Sequence, residues 1–281
     1  MTGWRRWGGY LALVVAFAVA CGLLSWWQWS RRADAVAEIQ RIEANYDAPP
    51  AELGDVLPAL DAWDEDDEWQ PVVLRGEYLP EAQLLVRNRP HAGASGFEVL
   101  VPLLLEDGSV FVVDRGWVPV GSSIDGPDDV PAAPTGPVTV VARLQAGEPE
   151  LPGRSAPEGQ LATIHLPSVA DVTDAPTYTG AYGLLAAEEP SPEIRPAPAP
   201  RPDEDEGPHL SYALQWIAFG VLAFIGLIWA YRRERRIAAL PASEQAAARA
   251  PRTRHADADY EDAVLDRAPV EQPESRIESR R

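Results

Sequence analysis

The chain reads as a membrane protein: two transmembrane α-helices flanking an extracytoplasmic, mainly antiparallel β domain, built as a sandwich or a partly closed barrel. Three observations predict this. Trp7 to Trp27 runs 21 residues without a charge, and Leu210 to Tyr231 runs 22. About 20 apolar residues, each rising roughly 1.5 Å, cross a hydrocarbon core of roughly 30 Å. Each stretch is bordered by Trp or Tyr, which favour the membrane interface. Between the two lie short apolar runs separated by Pro- and Gly-rich connections, the pattern of strands and turns.

Arginines set the orientation. Arg5 and Arg6 precede the first helix, and Arg232, Arg233, Arg235 and Arg236 follow the second. The positive-inside rule then puts both termini in the cytoplasm of a multi-pass cell-membrane protein, with the central domain outside. Arg31 and Arg32 argue the other way but are outnumbered. Residues 31–208 carry 11 Arg against 33 acidic residues, a net charge of −22. So acidic a surface disfavours nucleic acid or anionic lipid as partners of the domain, and suits solubility or a cationic partner. A cleaved leader is the alternative for the first helix, since Ala18-Val19-Ala20-Cys21 loosely resembles a lipoprotein box and Arg5-Arg6 a twin-arginine signal. The apolar run continues past Cys21 to Trp27, which favours an uncleaved anchor.

Composition narrows the chemistry. Cys21 is the only cysteine and Met1 the only methionine, so the chain has no intramolecular disulfide and no soft ligand set for copper. All 24 basic residues are arginine, which excludes Schiff-base and P-loop chemistry. No Ser-His-Asp spacing, metal-ligand cluster or phosphate loop is present, and the pattern is that of a non-enzyme. Asp171 and Asp174 are a chance carboxylate pair. The histidines are His91, His165, His209 and His255.

The domain plan follows: a cytoplasmic N-terminus (1–6), first transmembrane helix (7–30), β domain (31–189), Pro- and acid-rich linker (190–208), second transmembrane helix (209–231) and cytoplasmic tail (232–281). Ala35, Ile39 and Ile42 keep helical spacing, so the first helix extends outward to about Asn45, and Pro49-Pro50 ends it. Asp64 to Glu68 is a solvated acidic loop that lacks the alternating ligands and Gly turn of a calcium loop. Strands are predicted at Pro71–Tyr78, Gln83–Asn88, Phe97–Leu105, Ser109–Val113, Val138–Leu144, Leu161–His165 and Tyr178–Leu185. Glu106-Asp107-Gly108 marks a hairpin between the third and fourth of these. The linker is expected to be extended and mobile. The tail, in which Tyr260 is the only aromatic residue, is expected to be disordered. Ala18 with Gly22 and Gly226 with Ala230 offer small-residue faces through which the two membrane helices can meet.

Three motifs stand in order. The first helix ends Trp27-Gln28-Trp29-Ser30-Arg31, the domain carries Arg115-Gly116-Trp117-Val118-Pro119, and the second helix begins His209-Leu210-Ser211-Tyr212-Ala213-Leu214-Gln215-Trp216. Together with Gly76, Arg89, Gly93, Gly96, Pro102 and Leu103, this resembles the Surfeit-locus-one family over roughly residues 10–231. Ser25, Asp114 and Glu206-Gly207-Pro208 depart from the family pattern. The resemblance implies an assembly factor for haem-copper (aa3-type) cytochrome c oxidase, with oxidase subunit I and haem A synthase as partners and haem a as a transient cofactor.

The helix ends carry the candidate site. His209, Tyr212 and Trp216 fall at i, i+3, i+7 on one stripe, while Trp27, Gln28, Arg31 and Arg32 share a broad face. If the stripes meet, an imidazole and guanidinium groups point into an aromatic-walled space. That inventory suits a haem: His209 for the iron, Arg31 for the propionates and indole faces against the macrocycle. The same residues also compose an aromatic interfacial belt. Arg115, Gly116 and Trp117 are a candidate partner-docking patch, with Gly116 permitting a bulge or close backbone approach. Trp117 alone also reads as a core or membrane-facing anchor. Three functions stay open: haem a presentation, a scaffold for the nascent oxidase that binds no haem, and an extracytoplasmic sensor signalling through the tail.

Overall fold

The N-terminal apolar stretch lies within one unbroken helix, α1 (Gly3–Asn45), which ends just before Pro49-Pro50, as its spacing predicts. In chain order there follow β1 (Ala51–Glu52), α2 (Leu53–Val56), β2 (Pro71–Tyr78), β3 (Leu84–His91), β4 (Ala94–Leu105) and β5 (Val110–Pro119). The remainder is β6 (Pro137–Ala146), β7 (Gln160–Leu161), α3 (Leu166–Ala170), β8 (Ala181–Glu189) and α4 (His209–Ala238). This computed structural model describes residues 3–122, 125–242 and 244–245. The tail from 246 onward, with His255 and Tyr260, lies outside the described residues. The chain divides into a helix pair, Met1–Trp26 with Ala213–Arg281, and a β unit, Trp27–Tyr212.

In the helix pair, α1 and α4 are long and apolar enough to cross a membrane. Leu13, Val19, Leu23, Leu222 and Ile225 are each more than half exposed, a surface that calls for apolar surroundings. The helices meet through small residues. A β-carbon built on Gly220 would sit 3.7 Å from Cys21 Cβ and 3.9 Å from Ala18 Cα, and Cys21, Ser25 and Ala213 are buried. Of the small residues singled out in the sequence Ala18 is used this way, whereas a β-carbon on Gly22 or Gly226 would meet nothing within 4 Å. α4 continues past the expected end at Tyr231 to Ala238, through the arginine cluster.

In the β unit five strands close a ring in the order β2-β6-β8-β5-β4 and back to β2. Every pairing in it is antiparallel except β5 with β8, which runs parallel over Val113↔Gly183 and Asp114↔Leu184. This is the partly closed barrel. Outside the ring, β3 extends β4, β7 pairs with β3, and β1 pairs with β2. Closure occurs at Gly76↔Leu105, where a β-carbon on Gly76 would fall 2.0 Å from the Leu104 carbonyl oxygen. Only glycine allows the two backbones to pass so closely.

The apolar runs in β4 and β5 are nearly continuous because both faces of these strands are covered. Val99, Val101, Leu103, Phe111 and Val113 join the main core with residues of β2 and β6. Leu100 and Val112 point the other way, into a second cluster closed by Ile164, Leu166 and Val169. The Asp107-Gly108 hairpin forms as predicted: Gly108 takes φ +84° and the Asp107 carboxylate accepts from Ser109 N and Oγ.

Four expectations are corrected. The strand expected over Leu161–His165 ends at Leu161, because Ile164 and Leu166 turn inward to close the second cluster and Pro167 opens α3. The strand expected from Tyr178 starts only at Ala181. The acidic loop is not simply solvated, since Arg41 Nη1 and Nη2 bond Glu68 and Glu65, each at 3.0 Å, and Asn45 Nδ2 donates to the Asp66 and Glu68 carbonyls. The linker is strapped to the domain. Ala197 and Trp117 exchange both backbone hydrogen bonds at 2.8 Å, and Arg201 bonds Asp47 at 2.8 Å while its guanidinium lies over the Tyr46 ring.

Candidate functional site

The site is built where α4 begins. Gly207 turns the chain at φ +68°, and its N–H donates to Asp205 Oδ1. Ser211 Oγ then caps back to the Pro208 carbonyl at 2.7 Å. His209 therefore projects from the first turn of the helix. Its Nδ1 lies 2.9 Å from Oε1 of Gln28, a residue 181 positions earlier in the chain. A carboxamide oxygen can only accept, so Nδ1 is the donor in this bond and Nε2 is turned away from Gln28. Metal-ligating histidines are commonly oriented in this way, the second nitrogen held by an outer partner. Next to it, Arg32 Nη2 forms an ion pair with Glu206 Oε2 at 2.7 Å and ties the two chain segments together a second time.

Of the residues expected to gather here, Gln28 and His209 do so directly. Arg31 is exposed and its ion pair is with Asp34, at 3.9 Å. Trp27 and Tyr212 are 53% and 46% exposed, available to an apolar partner or ligand rather than packed away. Trp216 stands two turns along α4 from His209, within the helix-pair unit, edge-on to Phe219. Sequence reasoning assigned no partner to His209 and left Arg32 at the margin. The signal for both was the Gln28/Arg32 spacing on one helix face.

The proposed docking patch takes a different form. Arg115 faces the barrel interior, with its side chain completely covered. Its Nη2 bonds Glu188 Oε1 at 2.9 Å, its Nη1 donates to the Pro131 carbonyl at 3.1 Å, and the Tyr78 hydroxyl donates to Glu188 Oε2 at 3.0 Å. A guanidinium buried without these partners would be too costly to keep, and so committed it is not offered to another protein. Burial beside the Glu188 carboxylate pushes the Tyr78 hydroxyl far above its ordinary pKa. Gly116, at φ +123°, permits the close approach expected of it: a β-carbon there would lie 2.3 Å from the Ala197 carbonyl oxygen of the strap. Trp117 is half-buried, donates through Nε1 to the Arg89 carbonyl at 2.9 Å and stacks on His91.

A second, half-buried network, missed in the sequence, lies on the opposite face of β5. Arg89 forms an ion pair with Glu98 at 2.8 Å and donates to Glu148 at 2.6 Å, and Glu148 also accepts from the Ile164 N–H. Asp114 is buried beside them and accepts from the Gly116 N–H at 2.9 Å. Burial and the neighbouring Glu98 charge raise its carboxyl well above the usual Asp range. Burial likewise raises Tyr182. The available signal was the adjacent pair Asp114-Arg115 inside an apolar strand, since alternation must send the two charges into two different interiors.

Most of the chain has known relatives. The SURF1 family model matches residues 15–221. Uncharacterized SURF1-like proteins of Mycobacterium bovis and Mycobacterium tuberculosis are each 37% identical over 244 residues, covering 81% of this chain and 88% of theirs. The matched span includes the His209–Gln28 contact, the buried pair Arg115–Glu188 and the glycine that closes the ring. The chain belongs to the SURF1 family.

Proposed function

We propose that this protein serves the assembly of a haem-copper (aa3-type) cytochrome c oxidase, the process with which its family is linked, by holding or presenting haem a for insertion into subunit I. The observation that carries this reading is the Gln28–His209 bond, which orients an imidazole at a helix start and leaves Nε2 as the nitrogen that would meet iron. The residues present fit the group in kind: His209 would hold the iron, the exposed Arg31 would meet a propionate, and Trp27 and Tyr212 would offer half-exposed aromatic faces. Haem when bound would supply its own redox chemistry, and the protein's part is to hold and release it. In this reading the α1 and α4 helices cross the cell membrane, both termini lie in the cytoplasm, and the β unit faces outward, where haem A synthase and subunit I are the partners.

The test is the visible spectrum of the detergent-purified chain co-expressed with haem A synthase. A haem a band is expected in the parent and is lost in His209→Ala. Gln28→Ala, which frees the ring but keeps the ligand, is expected to weaken retention by about 10- to 100-fold. A band that survives His209→Ala would place haem elsewhere. A colourless parent on which oxidase yield still depends would favour the second reading, a scaffold that grips subunit I without haem. The exposed faces of Trp27 and Tyr212 support that alternative, because they suit a partner helix as well as a macrocycle.

A further inference from the structure

At the opposite end of the helix pair, α1 and α4 enclose a groove of about 850 Å³, within the roughly 300–1,000 Å³ range of small-ligand sites. Its floor is apolar, made by Trp7, Leu11, Leu227 and Ile228, with Tyr231 set edge-on against Trp7 at 5.1 Å. Its rim is cationic: Arg232, Arg235 and Arg236 fall at i, i+3, i+4, and the Arg235 guanidinium lies over the Tyr231 ring. Charge accounting separates these three from their neighbours. Arg6 is paired with Glu234, and Arg233 lies over Trp229 on another side. No carboxylate lines the groove, and none pairs with Arg232, Arg235 or Arg236 among the described residues.

A site that joins an apolar floor continuous with the exposed flank of the helices to three guanidinium groups, none paired with a carboxylate among the described residues, matches one kind of molecule. We propose that this groove binds an anionic phospholipid, its acyl chains against Leu11 and Ile228 and its phosphate on Arg232, Arg235 and Arg236. Guanidinium forks suit phosphate oxygens, and basic pockets at the ends of membrane helices recognise anionic head groups. In a bilayer the aromatic pair Trp7 and Tyr231 would stand where the chains give way to the head group, the usual station of such rings. The proposal rests on insertion of the helix pair in a bilayer and is independent of haem binding.

Native mass spectrometry of the full chain in detergent, titrated with phosphatidylglycerol and separately with phosphatidylcholine, tests it. Phosphatidylglycerol is expected to bind about tenfold or more tightly than phosphatidylcholine. The variant R232Q/R235Q/R236Q should bring the two lipids level, and R233Q should leave the preference unchanged. Leu11→Trp fills the groove while keeping every charge, and should also remove the phosphatidylglycerol adduct. If the triple variant fails to accumulate, Arg235→Gln alone is read for a partial loss. Equal binding of both lipids to the parent overturns the proposal. So does an unchanged preference in the arginine variants, and so does Leu11→Trp retaining the adduct, which would make the arginines a diffuse surface charge. Recovery of the chain in the membrane fraction checks insertion separately.

Discussion

Arg115 and Glu188, 73 residues apart, form a salt bridge of 2.9 Å inside the barrel with neither side chain exposed. Breaking such a pair from one side leaves a buried charge without compensation, at a cost of about 3–5 kcal/mol. Arg115→Met should therefore lower the thermal unfolding temperature of the purified chain sharply, read by tryptophan fluorescence. Adding Glu188→Leu to it should restore much of the loss, because two well-packed apolar groups need no partner. Single and double variants melting alike would show that the pair is not energetically coupled.

Asp114 carries a pH signature. Its carboxyl holds its proton more tightly in the folded chain than in the unfolded one, first through burial and then through Glu98. The native state thus binds more protons than the unfolded state above the ordinary Asp value of about 3.9, and stability falls as pH rises through that window. Asn at this position mimics the neutral acid and can still accept from Gly116. Asp114→Asn is expected to flatten the decline in melting temperature as pH rises above the ordinary Asp value of about 3.9. A slope equal to the parent's would assign the dependence to the other carboxyls that burial holds above their ordinary range, Glu98, Glu68 and Asp67.

Gly76 and Gly108 offer a matched comparison. A methyl group at Gly76 would collide with the Leu104 carbonyl at the seam of the ring, whereas at Gly108 it meets nothing and suffers only from φ +84°. Gly108→Ala should cost about 1 kcal/mol. Gly76→Ala should exceed about 3 kcal/mol and lower the yield of folded protein. Equal melting temperatures for the two variants would mean the seam can open without penalty.

The strap at Ala197 is testable by proteolysis. Its N–H donates to the Trp117 carbonyl at 2.8 Å, and proline has no N–H to give. Ala197→Pro should speed cleavage after Glu193 by a Glu-specific protease about tenfold, as expected for about 1.4 kcal/mol of local opening. Cleavage at the parent's rate would show that the remaining Trp117 N–H bond to the residue 197 carbonyl and the Arg201–Asp47 bond are enough to hold the segment.

Much of the architecture was legible in the residues. The 21 uncharged residues from Trp7 to Trp27, the spacing Ala35, Ile39, Ile42 and the Asp107-Gly108 turn each correspond to an observed element. These signals are local, because helix period, turn chemistry and chain stops act over a few residues. Strand ends were read less well where a side chain's destination decides. Ile164 leaves the strand register because a cluster on the far side of the sheet needs closing. The candidate site was half legible. The helix-face spacing named Gln28 and His209, while Arg115 was misassigned to the surface because no local pattern shows that Glu188 stands across the barrel.

The sequence by itself determined two apolar helices, a β domain between them and the order of the motifs, since periodicity and turn residues encode these in neighbouring positions. Tertiary structure decided which backbones pass at Gly76, which way Arg115 faces, and that Gln28 meets His209. Each of those joins residues far apart in the chain, and its energy exists only once the intervening segments have folded, so no local stretch of residues can contain it.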